Sequence, residues 1–170
     1  MLMIQEEFEI LLNADKETEH LEFKEAKQSY AFDSSKHSIC GYCVALANER
    51  GGRLILGVSD RGRPRIVVGT NAFLSIAELE KDIFNFWKRR VSVEEFFYKN
   101  KRVLILTVPP RPIAEPIEFK GQYLMRVQDQ LESMTPDEYR KILNEAVQDY
   151  SAEIINKATW DDLASKAIKE

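Results

Sequence analysis

Between Cys43 and Asp60 the chain reads Cys-Val-Ala-Leu-Ala-Asn-Glu-Arg-Gly-Gly-Arg-Leu-Ile-Leu-Gly-Val-Ser-Asp. An apolar helical pattern stops at Asn48-Glu49-Arg50, two glycines follow at once, and a second apolar run leads to an acid. Paired glycines after a helical pattern provide the left-handed backbone that closes a helix. The run that follows is too short for a helix and predicts a buried strand over Leu54–Val58.

The surrounding pattern extends this reading in both directions. Leu2, Ile4, Phe8, Leu11 and Leu12 recur at helical spacing and predict a short amphipathic helix over 2–13. From His20 to Glu25 the residues alternate, with Leu21 and Phe23 on one side and His20, Glu22 and Lys24 on the other. This predicts a strand whose polar side faces a site or solvent. Asp33-Ser34-Ser35 reads as a cap cluster opening the central helix, and Asp60-Arg61-Gly62-Arg63-Pro64 as a turn into a strand at Arg65–Val68. A helix is expected at Ile76–Arg89 and strands at Val91–Tyr98 and Val103–Val108. A hairpin around Lys120-Gly121 follows, then a strand at Tyr123–Val127 and a helix at Thr135–Gln148 with Pro136 in its first position. The order of elements predicts an α+β fold, a mixed β-sheet with helices packed on it. Residues 1–148 are expected to form one domain and 149–170 a linker or tail.

Composition narrows the class. Hydrophobic residues make up 44% and charged residues 31% of the chain, the balance of a globular domain rather than a disordered or membrane-spanning one. An acidic N-terminus and only two cysteines argue against a secretory signal and a disulfide framework, so a cytoplasmic location is expected. Net charge is −4, but its distribution is uneven: Arg50 to Arg126 holds 15 Lys and Arg against 8 Asp and Glu. A basic middle between acidic ends can focus an anionic ligand on one face despite the total.

The core motif resembles the "ALAN-x-x-GG-x-L-x-x-GV-x-D" pattern of the Schlafen AlbA-like domain. The same order of pieces appears elsewhere: Glu-x-x-x-x-Glu-Phe-Lys at Glu17 to Lys24, a basic hairpin after Asp60, Arg-Val-Leu-Ile-Leu-Thr-Val-Pro-Pro at 102–110 and Gln-Tyr-Leu-Met-Arg-Val at 122–127. The resemblance spans about residues 2–147. It implies a nucleic-acid-binding module of the kind found in bacterial proteins designated transcriptional regulators, contacting DNA or RNA through the backbone. In longer relatives the region resembling residues 151–163 leads into an ATP-binding domain, so a longer parent chain is implied. A protein-interaction or homodimerisation module is a further alternative.

The resemblance to catalytic Schlafen domains places Glu17, Glu22 and Asp60 as a three-carboxylate site for Mg²⁺ or Mn²⁺, which implies an endoribonuclease acting on structured RNA as a second reading. Carboxylate-held divalent ions activate water and screen the leaving oxygen in phosphodiester cleavage. Lys24 completes a Glu-x-Lys element and is a candidate stabiliser of developing charge. The bland alternative stands beside it: Glu22 and Lys24 as a solvated surface pair, and Asp60 as a turn residue.

Arg61, Arg63 and Arg65, then Lys88, Arg89 and Arg90, with Arg126, are candidate phosphate contacts, to which Lys99, Lys101, Arg102 and Arg111 add charge. Lys88-Arg89-Arg90 can equally complement the dipole of the helix they end. Cys40 and Cys43 form a Cys-x-x-Cys, read as core packing because the expected cap lies well before Cys40. No Gly-Lys-Ser/Thr follows the glycines, which excludes a P-loop.

Overall fold

The computed structural model describes residues 5–14, 18–59, 61–62 and 64–146. Its elements are α1 (Gln5–Asn13), β1 (Leu21–Lys24), α2 (Ile39–Asn48), β2 (Gly52–Leu56), α3 (Ile76–Trp87), β3 (Ser92–Tyr98), β4 (Lys101–Val108), β5 (Glu118–Phe119), β6 (Gln122–Val127), β7 (Gln130–Ser133) and α4 (Pro136–Leu143). A 3-10 turn at Asn144–Ala146 follows α4. Four strands make a mixed sheet in the order β1-β2-β4-β3, with β1 parallel to β2 and the other pairs antiparallel. Strands β5-β6-β7 make a smaller antiparallel sheet. The expected α+β class is the one the chain adopts.

Helix α2 lies between the two sheets, and every residue from Ile39 to Asn48 is buried. On one side it meets Leu54, Leu56, Leu104 and Leu106 of the large sheet, on the other Phe119, Leu124 and Leu131 of the small one. The alternate residues Ile55, Val103 and Ile105 point to the far face of the large sheet, where α1 covers them with Phe8 and Leu12. A sheet covered on both faces explains why β2 and β4 read as continuous apolar runs. Each fully buried Leu or Ile contributes roughly 1.5–3 kcal/mol, so these layers dominate the stability.

The Asn that ends the helical motif has a structural task. Asn48 Nδ2 donates to the carbonyls of Ile117 at 2.9 Å and Leu124 at 2.8 Å, and its Oδ1 accepts from Ile117 N–H at 2.8 Å. These bonds fasten the small sheet to the end of α2. Gly51 then takes φ +95°, and a Cβ there would stand 2.8 Å from the Val108 carbonyl, so only glycine fits this exit.

Several boundaries differ from the sequence-based expectation. Helix α2 starts at Ile39 with Ser38 as its cap, because Ile39 and Cys40 donate to the Ala31 and Phe32 carbonyls and hold 31–37 as a loop. The strand expected at Arg65–Val68 is reduced to a Val58–Val67 bridge. There Arg65 N–H bonds Leu12, and the Val68 and Gly69 N–H groups share the Gly57 carbonyl. Strand β7 was not anticipated; Gln-Leu-Glu-Ser buries only Leu131. Helix α3 ends at Trp87, and Lys88 supplies its left-handed cap at φ 58°. The expected tail at 149–170 lies outside the described residues.

Candidate nucleic-acid interface

Strands β1 and β2 pair in parallel with Lys24 opposite Leu56, so both run out at the same end of the sheet. The Gly57 and Val58 N–H groups both bond the Lys24 carbonyl there. Of the three expected carboxylates, Glu17 and Asp60 lie outside the described residues. Glu22 shares the face of Leu54, which looks toward α2 and not toward solvent.

Its side chain is fully buried, with one carboxylate oxygen against Lys24 Nζ and the other accepting from Arg126 Nη1. Burial acts to lower the Lys24 pKa, but the Glu22 carboxylate and the Tyr42 ring beside it outweigh burial and hold it above the ordinary lysine range. The Lys24 ammonium stands 4.9 Å from the Tyr42 ring centre. Burial first, and the charge of Glu22 second, raise the Tyr42 pKa. A carboxylate flanked by two cations does not fit an Mg²⁺ or Mn²⁺ ligand, which must turn oxygen lone pairs to the metal. Among the described residues no three His, Cys, Asp or Glu side chains stand together as a metal-binding group.

The expected basic residues do not share one surface. Arg126 is turned inward to Glu22. Arg65 is 3% exposed, with Nη1 donating to the Ala14 carbonyl at 2.6 Å and its guanidinium 4.3 Å from the Phe23 ring centre. It satisfies carbonyls at the end of α1, as a cation at a helix C-terminus can. Burial therefore corrects the expectation that Arg65 and Arg126 meet phosphates. Arg111 is likewise buried, bonding the Asn48 carbonyl that ends α2 and both Glu145 oxygens.

Arg63 lies outside the described residues. Lys88, Arg89 and Arg90 precede Ser92, which pairs with Thr107 at one end of the sheet, whereas the β3–β4 turn pairs Tyr98 with Lys101 at the other. Six residues of strand put these ends about 20 Å apart. Lys88 sits 6.0 Å over Phe84 and Arg89 faces Glu115 at 3.9 Å, so part of this cluster serves its own helix end. Arg61 is exposed, at the other end, near Glu25 and Lys27.

That end holds a groove the sequence did not reveal. Its volume is about 470 Å³, and Lys27, Gln28, Asn71, Phe97, Asn100 and Lys101 border it above the Val68–Thr70 segment. Arg102 fixes this segment, donating to the Thr70, Ala72 and Phe73 carbonyls at 3.2, 2.8 and 2.9 Å while paired with Glu95. Thr70 Oγ1 ties it to the Ala26 carbonyl, and Asn71 N–H to that of Lys27. One signal was available: Phe96 and Phe97 adjoin in a strand, so one of them must face away from the α1 core.

The cysteines are core residues for a different reason from the one expected. With the helix starting at Ile39, Cys40 lies in the first turn, where the dipole favours a thiolate. Burial prevails: Cys40 is 2% exposed, its thiol is pushed up to about 12, and Cys43 is raised further by the same cause.

The layered sheets, the enclosed helix and its exit through Asn48 and Gly51-Gly52 define an α+β domain of one type. The Schlafen, AlbA_2 family model matches residues 17–135, and the chain belongs to that family. A crystal structure of the DIP2311 protein from Corynebacterium diphtheriae is similar at TM-score 0.57 and 23% identity, over 79% of this chain and 30% of that one. The likeness shows a shared fold, and the region matched is under a third of the Corynebacterium protein. The solution NMR structure of the N-terminal domain of a RecG-related protein from Nitrosomonas europaea matches at TM-score 0.49 and 24% identity, over 75% of this chain and 91% of that domain. No curated protein matches the chain. No helix among the described residues is long and apolar enough to cross a membrane.

Proposed function

We propose that this domain binds nucleic acid through the phosphate backbone, at the end of the large sheet where the β3–β4 turn meets Lys27, with Arg61 close by beside Glu25. The observation that carries this reading is the lining of the groove: exposed Lys27 and Lys101, three amide side chains and, among the described residues, no carboxylate. Lys27 does reach Glu25 at 3.4 Å, but both side chains are about half exposed, and such a pair holds a cation only weakly. Cations on a rigid frame position a polyanion without reading bases, and they act whatever the net charge of the chain. The domain acts as a module of a larger protein; that the matched region is a minor part of the Corynebacterium chain supports this.

The test is the salt dependence of binding to labelled DNA and RNA oligonucleotides. Replacing Lys27, Arg61 and Lys101 together by Ala should weaken binding and lower the salt slope by about one for each phosphate that is no longer neutralised. Chelator should leave binding unchanged, because Glu22 faces Lys24 and Arg126. A triple variant with the wild-type affinity and slope would remove this surface from the function.

A further inference from the structure

Phe97 stands out at the groove. The residue is 61% exposed although it lies on a seven-residue strand beside a well-packed core. Its neighbour Phe96 packs on Phe8 with ring centres 5.0 Å apart, whereas Phe97 projects from the opposite face, paired across the strands with Arg102. The rest of the lining is cationic, amide or small, with Val68 the other apolar side chain. A docking site for another protein would set such a ring in a wider apolar patch. A single aromatic face among ammonium groups instead matches the elements that hold unpaired nucleotides, a ring for the base and cations for the backbone.

Resting on the nucleic-acid reading, we propose that this groove takes unpaired nucleotides of a single strand, with a base stacked on Phe97 and the flanking phosphates against Lys27 and Lys101. A duplex keeps its base faces inside its own stack and offers Phe97 none. The groove volume of about 470 Å³ falls in the range of small-ligand sites. Gln28, Asn71 and Asn100 add amide donors and acceptors that tolerate any base edge. The frame is set in advance: Lys99 and Asn100 form the two-residue turn with φ 48° and 63°, and the Arg102 fork holds the segment beneath.

The experiment measures binding of labelled oligouridine and oligothymidine 12-mers, and of a duplex of equal length, to wild type, Phe97→Ala and Phe97→Tyr. Thermal unfolding confirms that each variant is folded. The single strands should bind wild type more tightly than the duplex. Phe97→Ala should lose at least about fivefold on single strands, the lower end of what one stacked base contributes, with the duplex unaffected and Phe97→Tyr close to wild type. In a separate Phe97→Trp variant, adding the single strand should quench the emission of the new indole. Phe97→Ala binding single strands like wild type, or Phe97→Trp emission unmoved by bound strand, would overturn the proposal and leave backbone binding standing. If wild type binds none of the three, the nucleic-acid reading falls and this proposal with it.

Discussion

Glu22 and Arg126 stand 104 positions apart in the chain, yet their fully buried side chains form an ion pair that ties β1 of the large sheet to β6 of the small one. Lys24 closes the other side of the carboxylate. The acid that resembles a catalytic ligand thus joins two layers of the fold.

Removing Glu22 takes the carboxylate from the buried Arg126, and removing Arg126 leaves the buried Glu22 with Lys24 as its remaining partner. Glu22→Gln or Arg126→Met alone should destabilise the domain by about 3–5 kcal/mol. Paired replacement by apolar residues of similar size should recover much of that. Urea unfolding of the single and double variants measures this. A Glu22→Gln protein as stable as wild type would mean that the pair does not hold the sheets together.

The Arg111–Glu145 pair gives a pH dependence with a definite sign. Mainly through the hydrogen bonds from Arg111, Glu145 is held down at about 2 against an ordinary 4.5. A depressed carboxyl contributes stability that is complete above the unfolded value and is lost as pH falls from there toward 2. The unfolding midpoint should therefore drop between pH 5 and 2.5, and less steeply in Glu145→Gln.

Both thiols should resist modification in the native state. Cys40 and Cys43 are buried with raised pKa values, and the thiolate is the reactive form. Labelling with a chromogenic disulfide reagent should proceed at the rate of unfolding and not rise between pH 7 and 9. Rapid labelling of the folded protein would contradict the packing role.

Gly41 is a position where a single methyl group should be decisive. A Cβ there would fall 2.0 Å from the Lys36 carbonyl oxygen, where the 31–37 loop crosses the first turn of α2. Gly41→Ala should cost upwards of about 2 kcal/mol, since the obstacle is backbone and cannot rotate away. A melting temperature within a degree of wild type would show that the loop can yield.

Much of the framework was legible because it rests on local chemistry. The end of the central helix at the paired glycines, the continuous apolar strands and the turn at Lys120-Gly121 each follow from nearby residues. What could not be read depends on distant ones. The alternation in β1 was visible, but its polar side turned out to face inward, since Arg126 arrives from the far end of the domain to neutralise Glu22. Arg65 looked like a phosphate contact until the α1 carbonyls claimed it. Ser38 displaced Asp33-Ser34-Ser35 as the cap because the loop ahead of it is pinned by the backbone of Ala31 and Phe32. The groove at Phe97 joins three separated segments, and no spacing rule links them.

Helix α2 is buried along its whole length, so it needs both sheets to cover it. A fragment ending before β5 would leave the flank of the helix that faces Phe119, Leu124 and Leu131 bare, and such a piece would aggregate before it folded. The small sheet in turn buries Phe119, Leu124 and Leu131 in the core around this helix. A boundary that preserves this core must therefore keep α2 and the strands β5 to β7 in one piece.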